Sequence, residues 1–162
     1  MTACLTRRPP PYVQIMSGIV KVTVPLETLL PSALEFLREG TPVLLPVKGN
    51  SMLPFIRGGR DLVLVSRTAE VKVGDVVLAR TTAGNYVIHR VIAEEPGLYV
   101  LKGDGNLVGT EKCALVDVLG TVTEVRKPSG RAFNPASVKS WQKLPLFLRR
   151  VILALYKLIY RP

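Results

Sequence analysis

The stretch KGNSMLPFIRGGRDLVLV, residues 48–65, runs from a bend rich in Gly, Asn, Ser and Pro into a short apolar run. Gly49 admits backbone angles that a Cβ forbids, and Pro54 fixes its own φ and pushes Leu53 towards an extended shape. A serine held in such a bend, Ser51, aims its hydroxyl in one direction. That suits a nucleophile, but an ordinary turn serine does the same. The rest of the chain has to separate the two readings.

Working outward, residues 41–126 hold six β-rich runs: VLLPV, DLVLVS, DVVLAR, YVIHRVIAE, LYVLK and VLGTVTEVRK. Turn residues such as Gly58-Gly59, Gly74-Asp75, Pro96-Gly97 and Gly103-Asp104-Gly105 separate them. Short strands at regular spacing with turn signals predict a mainly β fold, a compact barrel or folded sheet. Ahead of it, LETLLPSALEFLREG places Leu26, Leu29, Leu30, Ala33, Leu34 and Leu37 at helical spacing, with a restart expected at Pro31 and a stop at Gly40. The expected organisation is an N-terminal arm over 1–24 with one strand at Ile19–Val24, then a β domain with its leading helix over 25–126. A Pro/Gly/Ser/Asn linker over 127–140 and an amphipathic helix over 141–162 complete it.

Composition narrows the function classes. The 162 residues are 48% hydrophobic, enough for one domain with a real core and too apolar for a disordered chain. Two cysteines, Cys4 and Cys113, make neither a disulfide framework nor, with a single histidine, a zinc site. Reduced thiols in the cytoplasm, with no metal and no cofactor, are the expectation. The net charge of +10 is concentrated at one end: beyond residue 125 there are nine Lys and Arg and no Asp or Glu. Such clustering points to a polyanionic partner. Neither residues 12–26 nor the tail offers the ~20 predominantly apolar residues of a spanning helix. The N-terminus, with Pro9, Pro10 and Pro11 after its arginines, does not read as a secretory signal.

Two residues stand out as possible partners of Ser51. His89, the one histidine, lies in YVIHRV, where alternation places it with Val87 and Val91 and puts Ile88 and Arg90 on the other face. Such a histidine is either a satisfied core residue or a general base, and imidazole is the side chain suited to that work near neutral pH. Asp104, in LKGDGN, reads either as a hairpin-turn aspartate or as a carboxylate that accepts the second imidazole N–H.

Taken in order, GNSMLPFIRGGRDLVLV, VKVGDVVLAR, VIHRVI and LKGDGN resemble the boxes of the signal peptidase I / LexA superfamily of serine peptidases. The similarity runs from about Thr41 to Val125. Histidine followed by Arg and Val resembles the branch found in archaeal, endoplasmic-reticulum and some Gram-positive signal peptidases. The resemblance implies a signal-peptidase/LexA-like β fold, Ser51 as nucleophile, His89 as base and Asp104 as the acid. That branch often carries a further acid some six positions beyond the aspartate. Thr110 stands there with Glu111 beside it, so Glu111 or a bare Ser–His dyad remain alternatives to the favoured Asp104. Position 49 is glycine, which leaves the Ser51 N–H as the main oxyanion donor. The family's membrane-embedded members carry a transmembrane anchor, and none is evident here.

The function implied is a serine endopeptidase that cuts an extended precursor peptide with small side chains near the scissile bond. A non-catalytic binding module of the same fold is the alternative. An autoproteolytic LexA-like regulator is a third reading, weakened because residues 1–24 show no helix-turn-helix periodicity. In the tail, Leu148, Val151, Ile152, Leu155 and Ile159 share a face while Lys143, Arg150, Lys157 and Arg161 gather opposite. Residues 141–161 are therefore expected to lie on an anionic membrane surface or, failing that, to pack the same apolar face on the β domain. No aromatic platform accompanies the charge, so nucleic acid is not favoured.

Overall fold

The computed structural model describes residues 13–16, 19–22 and 26–160. Pro9 to Pro11 of the arm and Arg161 of the basic stripe lie outside the described residues. Ten strands form one sheet: β1 (Val13–Met16), β2 (Ile19–Val22), β3 (Val43–Pro46), β4 (Leu62–Ser66), β5 (Val76–Arg80), β6 (Tyr86–Glu95), β7 (Leu98–Lys102), β8 (Glu111–Ala114), β9 (Val118–Arg126) and β10 (Ala132–Phe133). Their order is β1-β2-β3-β4-β9-β5-β6-β7-β8, with β10 also on β9. Every pairing is antiparallel except β2 with β3. Helix α1 (Leu26–Arg38) precedes the main strands and α2 (Leu146–Ile159) ends the described chain. The mainly β architecture with a helix before and after it is the one expected.

β9 is the hinge of the sheet. It pairs with β4 on one side and β5 on the other, and the register shifts on both sides, at Leu64/Val65 and at Leu78/Ala79. Such bulges bend a strand and raise its local twist, so the sheet folds over two cores. Val76 and Leu78 of β5 enter a larger cluster with Leu37, Val43, Leu45, Val63, Val65, Val122 and Val125. The alternate residues Val77 and Ala79 join Val91, Tyr99, Leu101 and Cys113 in a second. Both faces of β5 are thus covered, which is why DVVLAR lacks a polar alternation.

Four features depart from the sequence expectation. α1 runs unbroken through Pro31, because Leu29 and Leu30 before it and Ala33 and Leu37 after it are all buried. Burial of one continuous stripe outweighs the lost backbone bond. The arm contributes two strands, β1 and β2, rather than one. β8 is absent from the six runs, although the sequence around Cys113 reads as strand-like: EKCA is four residues long and buries one side chain, Cys113, so its bounds are too short to read. The expected linker is ordered, with β10 folded back on β9 and a 3-10 segment over Pro135–Lys143 that buries Trp141.

The tail differs most. Its helix starts at Leu146 rather than at residue 141, since Pro145 takes an extended ψ of 144° and forms the cap. α2 docks through Arg149 and Leu153, both buried, and half-buried Tyr156. Leu153 packs with Leu53 and Trp141. The apolar face opposite is not covered by the β domain: Leu148, Val151, Leu155, Leu158 and Ile159 are exposed. No described helix is long and apolar enough to cross a membrane.

Candidate active site

Ser51 sits in the connection between β3 and β4, and its neighbours hold that connection in place. Met52 and Ile56 are buried in the larger core and Leu53 in the cluster with Trp141 and Leu153. The Ile56 N–H donates to Met52 O at 3.0 Å. The two ends of the bend meet at Gly49 and Gly58: a Cβ on Gly58 would lie 2.0 Å from Gly49 O, so no side chain fits there. Asp61 then clamps the exit. Its carboxylate accepts from the Arg57 N–H (2.8 Å), Arg60 Nε (2.9 Å) and Lys127 Nζ (2.5 Å). Burial opposes ionisation of Asp61, but the bonds from Lys127, the Arg57 N–H and Arg60 outweigh it and hold the carboxyl below its ordinary range.

Strand β6 brings His89 to this bend. His89 Nε2 lies 2.9 Å from Ser51 Oγ, and Nδ1 lies 2.6 Å from Glu111 Oε2. An ionised carboxylate can only accept, so Nδ1 carries the proton and Nε2 is left to accept the Ser51 O–H. Register explains the contact with Glu111. Val91 pairs with Leu101 across β6–β7, and Leu101 with Glu111 across β7–β8. Directly paired residues share a sheet face, and so do His89 and Val91, two residues apart. Glu111 therefore rises on the face of His89.

Asp104 belongs to the other face, and the expectation that it meets the imidazole is corrected. Arg90 pairs with Lys102 across β6–β7, and Asp104 follows two residues later. Fully buried, it receives Arg90 Nε at 2.8 Å on Oδ1 and Nη2 at 2.6 Å on Oδ2. Arg90 Nη1 donates in addition to Gly74 O and Pro135 O. Gln142 Nε2 reaches Asp104 Oδ1 at 2.8 Å, and the Trp141 indole N–H donates to Asp104 O at 2.8 Å. This network holds the loop after β7, and that loop holds Ser51: the Gly105 N–H donates to Ser51 O at 2.8 Å. A Cβ on Gly103 would stand 2.3 Å from the same oxygen. Asp104 thus anchors the loop that contacts the Ser51 carbonyl and does not meet His89.

Sequence reasoning brought Ser51 and His89 forward, and the structure brings them together. It named Glu111 as the lesser alternative and assigned nothing to Arg90, although the alternation that set His89 against Arg90 already put the two on opposite faces. The site opens on a small cavity of about 120 Å³ lined by Ser51, His89, Leu30, Val47, Leu78 and Val87. Among the described residues, the Ser51 N–H donates to no backbone carbonyl.

A serine hydroxyl, an imidazole oriented by a carboxylate and a backbone amide are the parts of a nucleophilic hydrolase. A comparison with curated proteins gives no significant match. The protein-family model described as Peptidase S24-like matches residues 14–123, which includes Ser51, His89, Asp104 and Glu111. With two thirds of its length in that match, the chain belongs to the peptidase S24-like family, within the LexA/signal peptidase-like superfamily of serine peptidases.

Proposed function

We propose that this protein is a serine endopeptidase in which Ser51, His89 and Glu111 form the catalytic triad. The observation that carries the reading is the continuous chain Ser51 Oγ–His89–Glu111, at 2.9 and 2.6 Å. Ser51 Oγ attacks the scissile carbonyl as its proton passes to His89 Nε2. Glu111 holds the ring in the required tautomer and stabilises the imidazolium. The carbonyl oxygen, now an anion, takes the Ser51 N–H. Gly49 contributes no hydroxyl, so this amide carries much of a stabilisation worth roughly 2.7–4 kcal/mol per donor. Collapse of the intermediate releases the amine with the proton from His89, and water, deprotonated by the same nitrogen, frees the acyl group. The small cavity beside Ser51, walled mainly by aliphatic side chains but also by Lys48 and Tyr86, favours a substrate with a short side chain next to the cut. Labelling by a serine-reactive acyl probe tests the reading. Wild type should label once, and Ser51→Ala not at all; no labelling of wild type, or equal labelling of both, would reject it.

The same reading places the substrate at an anionic membrane surface. α2 turns Leu148, Val151, Leu155, Leu158 and Ile159 outward, while Arg150 and Lys157 are exposed on the other side of the helix. An exposed apolar strip on a helix whose polar side carries cations is complementary to a bilayer with anionic headgroups. Co-sedimentation with anionic vesicles should fall sharply in Val151→Asp/Leu155→Asp. Equal binding of that variant would remove the membrane from the proposal.

A further inference from the structure

Away from Ser51, a cleft of about 560 Å³ opens between β6, the end of β7, the 3-10 segment and α2. Arg90, Lys102, Lys139, Lys143 and Arg149 line it, and no carboxylate does. Arg90 is spent, with Nε and Nη2 on Asp104 and Nη1 on two carbonyls. The other four have no carboxylate partner among the described residues. Arg149 is the telling one. It is only 4% exposed, its Nη2 reaches the carbonyls of Asp104 and Asn106 at 3.5 and 3.3 Å, and its Nε has no partner.

A buried guanidinium without a counter-ion is costly, and a second cation beside it adds repulsion. Burial pushes the Arg149 guanidinium below its ordinary range, only partly offset by Asp104. Burial and then the charge of Arg149 do the same to Lys102, whose ammonium finds one carbonyl, Leu107 O at 3.2 Å. An anion between them would relieve both strains.

We propose that this cleft binds a phosphate ester, with Arg149, Lys102, Lys139 and Lys143 as its anion-binding groups. A carboxylate brings one charge and two oxygens. Phosphate brings up to two charges and more acceptor oxygens, matching four cations that approach from three elements. The cleft is larger than a bare ion needs, and exposed Val73 and half-buried Ile92 on its wall would meet the organic part of the ester. A lipid headgroup and a soluble phosphate ester share this chemistry.

Calorimetric titration of the full chain tests the site and tells the two sources apart. The probes are inorganic phosphate, glycerol 3-phosphate and a short-chain phosphatidylglycerol below its micelle concentration, with acetate at matched ionic strength as control. We expect saturable one-site binding of the phosphates and none of acetate. Arg149→Met removes the buried charge directly. Lys139→Ala/Lys143→Ala changes only exposed side chains, so it keeps its fold and should weaken binding at least tenfold. A soluble ester as ligand makes glycerol 3-phosphate the tighter probe, and a headgroup makes the short-chain lipid tighter. Absence of saturable phosphate binding, acetate binding equally well, or undiminished binding by the lysine variant would each overturn the site.

Discussion

Glu111 reaches His89 Nδ1 from β8, a strand two positions away in the sheet, at 2.6 Å. Its partner is fixed by register, while the aspartate nearer in sequence to the histidine is turned to the opposite face by Arg90. The two carboxylates therefore have different partners, and substitution separates them.

Glu111→Gln should lower kcat roughly 10²–10⁴-fold with little change in melting temperature, because the amide no longer enforces the Nδ1–H tautomer. Asp104→Asn should do the reverse. It leaves Arg90 buried without its charge, a loss of about 3–5 kcal/mol in stability. Denaturant melts beside peptide-cleavage rates decide the matter. A stable, inactive Asp104→Asn beside a fully active Glu111→Gln would restore the aspartate as the acid.

Ser51→Ala and His89→Ala should each cut the cleavage rate by about 10⁴-fold or more, and the double variant should be little worse than either. Circular dichroism should show the fold intact. Additive losses in the double variant would mean that the two side chains do not act as a unit.

Gly103→Ala probes the seat of the nucleophile. The added methyl would meet Ser51 O at 2.3 Å, so the bend must shift. Activity is expected to fall more than tenfold, since small displacements of a nucleophile are costly. Wild-type acylation rates in this variant would show that the approach of the two loops is not needed.

Asp61 predicts a pH dependence. Its carboxyl is depressed in the folded protein relative to an ordinary 3.8. The stability it contributes is therefore present above that value and is lost as pH falls through the lower, folded one. The stability gap between wild type and Asp61→Asn should be constant at neutral pH and close below about pH 4. A gap unchanged down to pH 2 would contradict the clamp.

How much of this was legible beforehand follows from pattern length. β4 to β7 and β9 announced themselves through Val- and Leu-rich runs between glycine turns, and they carry His89. Ser51 was marked by the boxes around it. β8 was legible only as a strand-like stretch around Cys113, because Glu111 and Lys112 are polar and only Cys113 is buried, so Glu111 had no clear strand to stand on. The tail's amphipathic period was visible, but not which side would dock. Arg149 and Leu153 were unremarkable until Trp141 and Leu53 supplied a surface for them.

The place of β9 has a consequence for how the protein is made. Ser51 lies on the β3–β4 side of the sheet and His89 and Glu111 on the β5–β8 side, and β9 is the strand that joins them. A nascent chain that has exposed all three site residues still lacks that strand, and Trp141 and Leu153 emerge later again. Pairing at such sequence separation is slow to close. Ser51 thus stays apart from His89 and Glu111 until β9 has paired on both sides, so the three side chains meet only late in the assembly of the sheet.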